Sequence, residues 1–417
     1  MPHRLLCILL AALLLAAALP LAVLAGPAED RIGNVDLAAA VALDADTGEV
    51  LFDYEADTLL PPASTAKILT ALLVLEAIGR GELSASHEFT VTQEMMDGVP
   101  GDASRMSESI KAGEVFTVEQ MLCAHLISSD CYASRILACV VSGTCSAFCE
   151  KMNERSAELG FPDSRFTDPS GYPDPPMVTS AHALAVTAVA CMEYELFRKI
   201  VSTVDLTLPA TNLSPARYLK NTNLLLWKQL TDVYGDAHDN RYYSPWAKGV
   251  KTGSSTPAGY CLVSWLEKDG RRICIAALGA RSSGDSSSAM VQSDLDLPQY
   301  GETLRIFDTV TMLLDARDAV TADAEIRFAA VERKALSAVE EWQDLHRRDG
   351  ELTKQWHRRG VARSVLIVVI LAVLFVFLLL AAVAVYGRRQ AAKRRRRRMQ
   401  ARAAGTRPQN PPAVRRR

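Results

Sequence analysis

The sequence predicts an α/β fold of the α+β type: one antiparallel sheet flanked by helices, with a helical insertion midway along the chain. Strand-like runs occur at residues 37–43 and 49–54, and again at 249–253, 259–266 and 272–279. Between these two groups the apolar residues recur at helical spacing. Strands at both ends with helices between them fit a sheet built from the two ends of one domain.

The elements follow in order. Residues 1–25 read as a secretory signal: Arg4 precedes a nearly unbroken apolar run, and Val23-Leu24-Ala25 forms a small-residue cleavage site before Gly26. An uncleaved N-terminal anchor is the alternative, and either reading sets residues 26–315 outside the cytoplasm. Asp46-Thr47-Gly48 has turn chemistry, so the first two strands form a hairpin. Residues 63–78, rich in Ala, Leu and Ile, form a helix entered through Pro61-Pro62. Thr117 and Gln120 stand at capping-box spacing and open a helix that runs to about His125. A further apolar helix covers 133–141, residues 169–176 form a loop, and 181–195 are helical again. Residues 228–246, rich in Tyr, Asp, His and Asn, read as a surface loop. Lys268-Asp269-Gly270 turns the fourth strand into the fifth, and a helix at 303–314 closes the domain.

The remainder is different in kind. Residues 316–363 are highly charged, with Val331, Ala335, Ala338, Trp342 and Leu345 at helical spacing, and read as a helical stalk. Residues 364–386 form a 23-residue run without charge. As a helix it would extend roughly 35 Å, enough for one transmembrane crossing. The tail, 387–417, carries 12 Arg, one Lys and no acid, which holds that side in the cytoplasm. Without the tail, 33 basic residues face 48 acidic ones, an imbalance hidden by the overall charge of −2. An acidic ectodomain argues against nucleic acid as a partner.

Of nine cysteines, Cys7 falls in the signal. Most of the others sit in apolar runs, where a thiol behaves as a small hydrophobe. Cys139 and Cys145 flank a turn at Ser142-Gly143 and could pair. No spacing makes a zinc site.

Three elements carry chemistry: Ser64-Thr65-Ala66-Lys67, Ser128-Ser129-Asp130 and Lys251-Thr252-Gly253. Residues three apart share a helix face, which brings the Lys67 amine beside the Ser64 hydroxyl. A serine needs such a base to become a nucleophile. Lys251 offers a charge and Thr252 a hydroxyl to a terminal carboxylate. Gly253, without a side chain, leaves the strand edge open to a substrate.

Together these elements resemble the penicillin-recognising serine hydrolases, whose motifs are S-x-x-K, S-x-N and K-T-G. The chain is most similar to the low-molecular-mass D-Ala-D-Ala carboxypeptidases. Pro62-Ala63-Ser64-Thr65-Ala66-Lys67, Asp168-Pro169-Ser170-Gly171-Tyr172, Asn221-Thr222-Asn223-Leu224-Leu225 and Gly249-Val250-Lys251-Thr252-Gly253 carry the likeness, which extends over residues 35–314. The resemblance implies a β-lactamase/transpeptidase-like fold and an acyl-enzyme on Ser64. It makes Lys67 the base and Ser128 the proton relay to the leaving amine. Lys251 and Thr252 would hold the substrate carboxylate, and the backbone N–H groups of Ser64 and Ser254 would meet the oxyanion. It further implies peptidoglycan stem peptides as substrate and β-lactams as inhibitors, with no metal or organic cofactor needed. Asp130 stands where the family has Asn, in the substrate-binding set. A β-lactamase or D,D-endopeptidase on the same fold, and a non-catalytic peptidoglycan-binding membrane protein, remain open.

Overall fold

The hairpin around Asp46-Thr47-Gly48 forms as expected, from Ala39–Asp44 (β1) and Val50–Tyr54 (β2). Asp44 Oδ1 accepts the N–H groups of Asp46 and Thr47 at 3.0 and 2.9 Å, which closes the turn. The computed structural model describes residues 35–231, 236–281 and 297–348. Three short antiparallel pairs follow the hairpin: Glu88–Thr90 (β3) with Val115–Thr117 (β4), Asp205–Leu208 (β5) with Arg217–Lys220 (β6), and Gln229–Thr231 (β7) with Ala237–Asp239 (β8). Then come Ala247–Ser255 (β9), Gly259–Lys268 (β10) and Arg271–Ala280 (β11). The main sheet has the order β2-β1-β11-β10-β9, every neighbour antiparallel, so β1 pairs with the last strand. The sheet expected from the two ends of the domain is therefore present, and β9 is its edge.

Side chains alternate across a strand, so this sheet presents two apolar faces. Val41, Leu43, Val263, Trp265, Cys274 and Ala276 join the large helical core on one side. Ala40, Ala42, Ile273, Ile275 and Ala277 pack on the other against Ile306, Phe307 and Val310 of the closing helix.

In chain order the helices are Lys67–Gly79 (α1), Gln93–Met96 (α2), Val118–Ile127 (α3), Cys131–Ser142 (α4), Cys145–Glu158 (α5), Ala181–Met192 (α6), Glu195–Val201 (α7) and Pro298–Arg348 (α8). Helix α1 is buried on nearly every side, from Lys67 to Leu75. That is why its sequence is apolar all round instead of amphipathic. The capping box at Thr117 is present in both directions: Gln120 N–H donates to Thr117 Oγ1 at 3.2 Å, and Thr117 N–H to Gln120 Oε1 at 2.8 Å.

Three local expectations change. The first turn, Ala63–Ala66, is 3-10, and the α-helix begins at Lys67. Helix α5 was not expected, because most of its residues are polar and only Phe148, Cys149, Met152 and Ser156 face the core. Residues 228–246 carry the β7–β8 hairpin and a buried anchor. There Asn240 Nδ2 donates to the carbonyls of Leu224 and Trp227 at 2.7 and 2.8 Å.

Cys139 and Cys145 are free thiols with their sulfurs 3.9 Å apart. The hydrogen bond with Cys145, helped by the charge of Arg135, pulls the Cys139 thiol down to about 7. Burial pushes the thiols of Cys191 and Cys274 up. The thiolate is the reactive form. On mild alkylation at pH 7.5 (about one unit below an ordinary thiol) the Cys139 peptide is therefore expected to be modified before those of Cys191 and Cys274. Mass-spectrometric peptide mapping checks the order.

Backbone contacts divide the chain into Met1–Ala322 and Asp323–Arg417. The expected stalk is helical as far as Arg348. Its expected apolar side chains from Val331 to Leu345, the signal at 1–25, the span at 364–386 and the basic tail lie outside the described residues. Among the described residues no single helix is long and apolar enough to cross a membrane.

Candidate active site

Ser64 sits in the 3-10 turn that starts α1. Thr65 Oγ1 donates to Pro62 O at 2.6 Å and fixes this entry, and Ala63 before it adopts φ +48°. Such a backbone is costly for a non-glycine residue and recurs where a side chain must be presented in a set direction. The next helical turn brings Lys67 round to the same face. Lys67 is fully buried, and its Nζ donates to Ser64 Oγ at 3.1 Å, to Ser170 O at 2.7 Å and to Cys131 Sγ at 3.6 Å. The carbonyl of Lys67 meets His125 Nε2 at 2.9 Å. Burial, and then the charge of Lys67, hold that imidazole well below its usual range, so it is neutral.

Two glycines allow the walls of the site to close on this turn. A Cβ on Gly253 would lie 3.0 Å from the backbone nitrogens of both Ser64 and Thr65. Its bare α-carbon thus lets β9 approach the serine turn, a different reason from the open strand edge expected from sequence. A Cβ on Gly171 would fall 1.9 Å from Ala63 O, and φ +76° also favours glycine there. Gly253→Ala is expected to push β9 off the Ser64 turn by a few tenths of an ångström and to slow acylation about 10- to 100-fold. The melting temperature should barely change. Timed labelling with a fluorescent penicillin, beside a thermal melt, checks both.

Strand β9 also carries Lys251, which is 1% exposed. Its Nζ donates to Thr252 O at 2.9 Å, and Thr252 Oγ1 lies 2.6 Å from Thr222 Oγ1. Burial, then the nearby charge of Lys67, push the Lys251 ammonium well below its usual range. Two buried amines close enough to disfavour each other's charge would both be stabilised by an anionic group nearby.

The turn from α3 to α4 departs from expectation. Asp130 is fully buried, but its carboxylate is committed to backbone. Oδ1 accepts Ala133 N–H at 2.9 Å and caps α4, while Oδ2 accepts Met106 N–H at 2.8 Å. Burial pushes its carboxyl up against those hydrogen bonds. Asp130 thus caps α4, a structural role that the sequence reading did not assign to it. The side chain of this turn that meets Lys67 is Cys131. Counting back two residues from Cys131 puts Ser129, not Ser128, in the serine place of the S-x-N pattern. Ser129 is buried with φ +59°, whereas Ser128 caps the end of α3. The signal that could have found this was present: Asp130 three residues before Ala133 is a helix-cap position.

A cleft beside these residues is lined by Cys131, Arg135, Asp168, Ser170, Tyr172 and the 98–100 loop. Among the described residues, no group of three or more His, Cys, Asp or Glu is arranged to hold a metal.

The D-alanyl-D-alanine carboxypeptidase family profile matches residues 26–282. The chain is 31% identical over 260 residues to D-alanyl-D-alanine carboxypeptidase DacF of Bacillus subtilis. That match covers 62% of this chain and 60% of the Bacillus protein, so the chain spans less than two thirds of that relative's length. It is 25% identical over 241 residues to the D-alanyl-D-alanine endopeptidase of Escherichia coli, covering 58% of this chain and 70% of that one. The fold matches the crystal structure of the Streptomyces K15 DD-transpeptidase with a TM-score of 0.55 and 25% identity, over 67% of this chain and 98% of that one. The chain belongs to the D-alanyl-D-alanine carboxypeptidase family.

Proposed function

We propose that the chain is a serine D,D-carboxypeptidase that removes the terminal D-alanine from peptidoglycan stem peptides and is acylated by β-lactams. The observation that carries this is the 3.1 Å contact of the buried Lys67 amine with Ser64 Oγ. In this reading the Ser64 Oγ proton passes to the Lys67 amine as oxygen attacks the penultimate D-alanine carbonyl. The backbone N–H groups of Ser64 and Ser254 receive the oxyanion. Lys251 and Thr252 hold the terminal carboxylate, and the peptide extends along the free edge of β9. Ser129 takes the relay assigned from sequence to Ser128 and passes a proton to the departing D-alanine amine. The C–N bond breaks to leave an ester on Ser64, which water hydrolyses. Cys131 occupies the place of the family's Asn as the third neighbour of Lys67.

We also propose that residues 1–25 export the chain, that 26–315 act outside the cytoplasm, and that 364–386 anchor them through one membrane crossing above a cytoplasmic tail. The uncharged run and the tail's one-sided charge support this.

The test incubates the full chain, in detergent, with a peptide ending in Lys-D-Ala-D-Ala and follows D-alanine release. Release together with penicillin label on the Ser64 peptide is expected. Label with cleavage of cross-linked stem dimers alone would make it an endopeptidase. Folded protein that neither labels nor cleaves would be a binding protein.

A further inference from the structure

Lys67 can act on Ser64 only if its amine is aimed, and one of its three partners is a loop carbonyl. Ser170 O lies 2.7 Å from Lys67 Nζ, in a stretch with no regular secondary structure. Such a carbonyl has no ladder to hold it. Asp168 supplies the restraint. Its Oδ1 accepts the Ser170 N–H at 2.8 Å and also the Ser170 hydroxyl. The same hydroxyl oxygen accepts Tyr172 N–H at 3.2 Å, so both sides of Ser170 are tied. Asp168 Oδ2 accepts Arg135 Nη1 at 3.2 Å, and Arg135 lies on α4, four residues after Cys131. The two side chains are 21% and 18% exposed, which shields the pair from most solvent screening. Between Asp168 and Ser170, Pro169 O accepts from Thr70 Oγ1 at 2.7 Å. The loop is thus fastened to α1 and α4, the two helices that present Lys67 and Cys131.

Among the described residues no ion pair joins Asp168 to Lys67, so the carboxylate acts through Ser170. We propose that Asp168, tied to α4 by Arg135, is a positioning residue for acylation: it fixes the Ser170 carbonyl that aims Lys67 at Ser64. This rests on the reading of Lys67 as the base. A loop staple with no catalytic consequence would use the same contacts, so the test needs a readout that stability does not move.

The experiment measures penicillin labelling of the full chain over time at several concentrations. It separates the saturating acylation rate from the half-saturating concentration, and a thermal melt runs beside it. Asp168→Ala is expected to lower the saturating rate about 100-fold, the cost of aiming a reacting group wrongly by roughly 1 Å, with half-saturation unchanged. Asp168→Asn keeps an acceptor for the Ser170 N–H and should restore most of the rate. Arg135→Ala should fall between them, and it carries the test if Asp168→Ala does not fold. A folded Asp168→Ala labelling at the wild-type saturating rate would overturn the proposal. So would an Asp168→Asn as slow as Asp168→Ala, or a change confined to half-saturation. If wild-type protein takes no label on Ser64, the catalytic reading itself has failed and the proposal falls with it. That outcome is seen before any variant is compared.

Discussion

Ser64→Ala is expected to abolish covalent labelling by a fluorescent penicillin and to leave the fold intact. Turnover of a D-Ala-D-Ala peptide should fall by about 10⁴- to 10⁶-fold, the scale on which loss of an activated nucleophile is felt. The reasoning is local. Ser64 is half-buried, and the hydrogen bond it is shown to make with its side chain is the one from Lys67. The 3-10 entry is held by Thr65 and Pro62, neither of which the substitution touches. Alanine fits the helix entry as well as serine does, so the melting temperature should hold. Mass spectrometry of the labelled wild type should place the adduct on the peptide containing Ser64. Persistence of that adduct in the alanine variant would sink the assignment of the nucleophile.

Loss of the buried ion pair between Arg217 and Glu114 is expected to have the largest effect on stability. Both side chains are fully buried. Arg217 Nη2 donates to the two carboxylate oxygens of Glu114 at 2.7 and 2.8 Å, and Nε donates to Glu108 O at 2.9 Å. Thr211 Oγ1 and Lys111 N–H add bonds to the same carboxylate at 2.6 and 2.8 Å. Removing only the cation strands a buried anion, so Arg217→Leu should cost about 3–5 kcal/mol. The double variant Arg217→Leu with Glu114→Gln removes both charges and should recover much of that. Burial alone would push the Glu114 carboxyl up, but the bonds from Arg217, Thr211 and Lys111 outweigh it and hold it at about 2, against an ordinary 4.5. The sign follows from linkage. The unfolded chain takes up this proton first, so the stabilisation is complete above about 4.5 and is lost as pH falls towards 2. Urea unfolding at a series of pH values should show that acid loss in wild type. The loss should be smaller in the double variant; equal acid slopes would refute the account.

Much of this was legible in the sequence, and the failures have physical causes. The five sheet strands were readable because apolar alternation and turn chemistry agree at Asp46-Thr47-Gly48 and Lys268-Asp269-Gly270. The contact of Lys67 with Ser64 was legible because residues three apart share a helix face, whereas the burial of Lys251 depends on the tertiary fold around β9. Helix α5 was hidden because a partly exposed helix needs few apolar residues. The proposed shift of the middle motif by one residue was hard to read because two serines stand side by side and a carboxylate is a more familiar polar partner than a thiol. What separates the readings is which side chain the backbone amides capture. At Asp130 they capture both oxygens, and the thiol of Cys131 turns to Lys67. The Arg135–Asp168 ion pair could not be read at all, since its partners are 33 residues apart and meet only in the folded chain.

The pairing of β1 with β11 sets Val41 opposite Ala276. The central seam of the sheet therefore joins segments separated by most of the domain. Loop closure on that scale makes folding slow compared with a chain of local contacts. During synthesis, the β1–β2 hairpin has no lasting partner until the final strands emerge, and a lone hairpin is marginal in water. The nucleophile helix follows that hairpin directly, and the strand opposite it arrives late. The serine turn and its facing strand are thus assembled in the closing step, so the reactive geometry exists only in the finished domain.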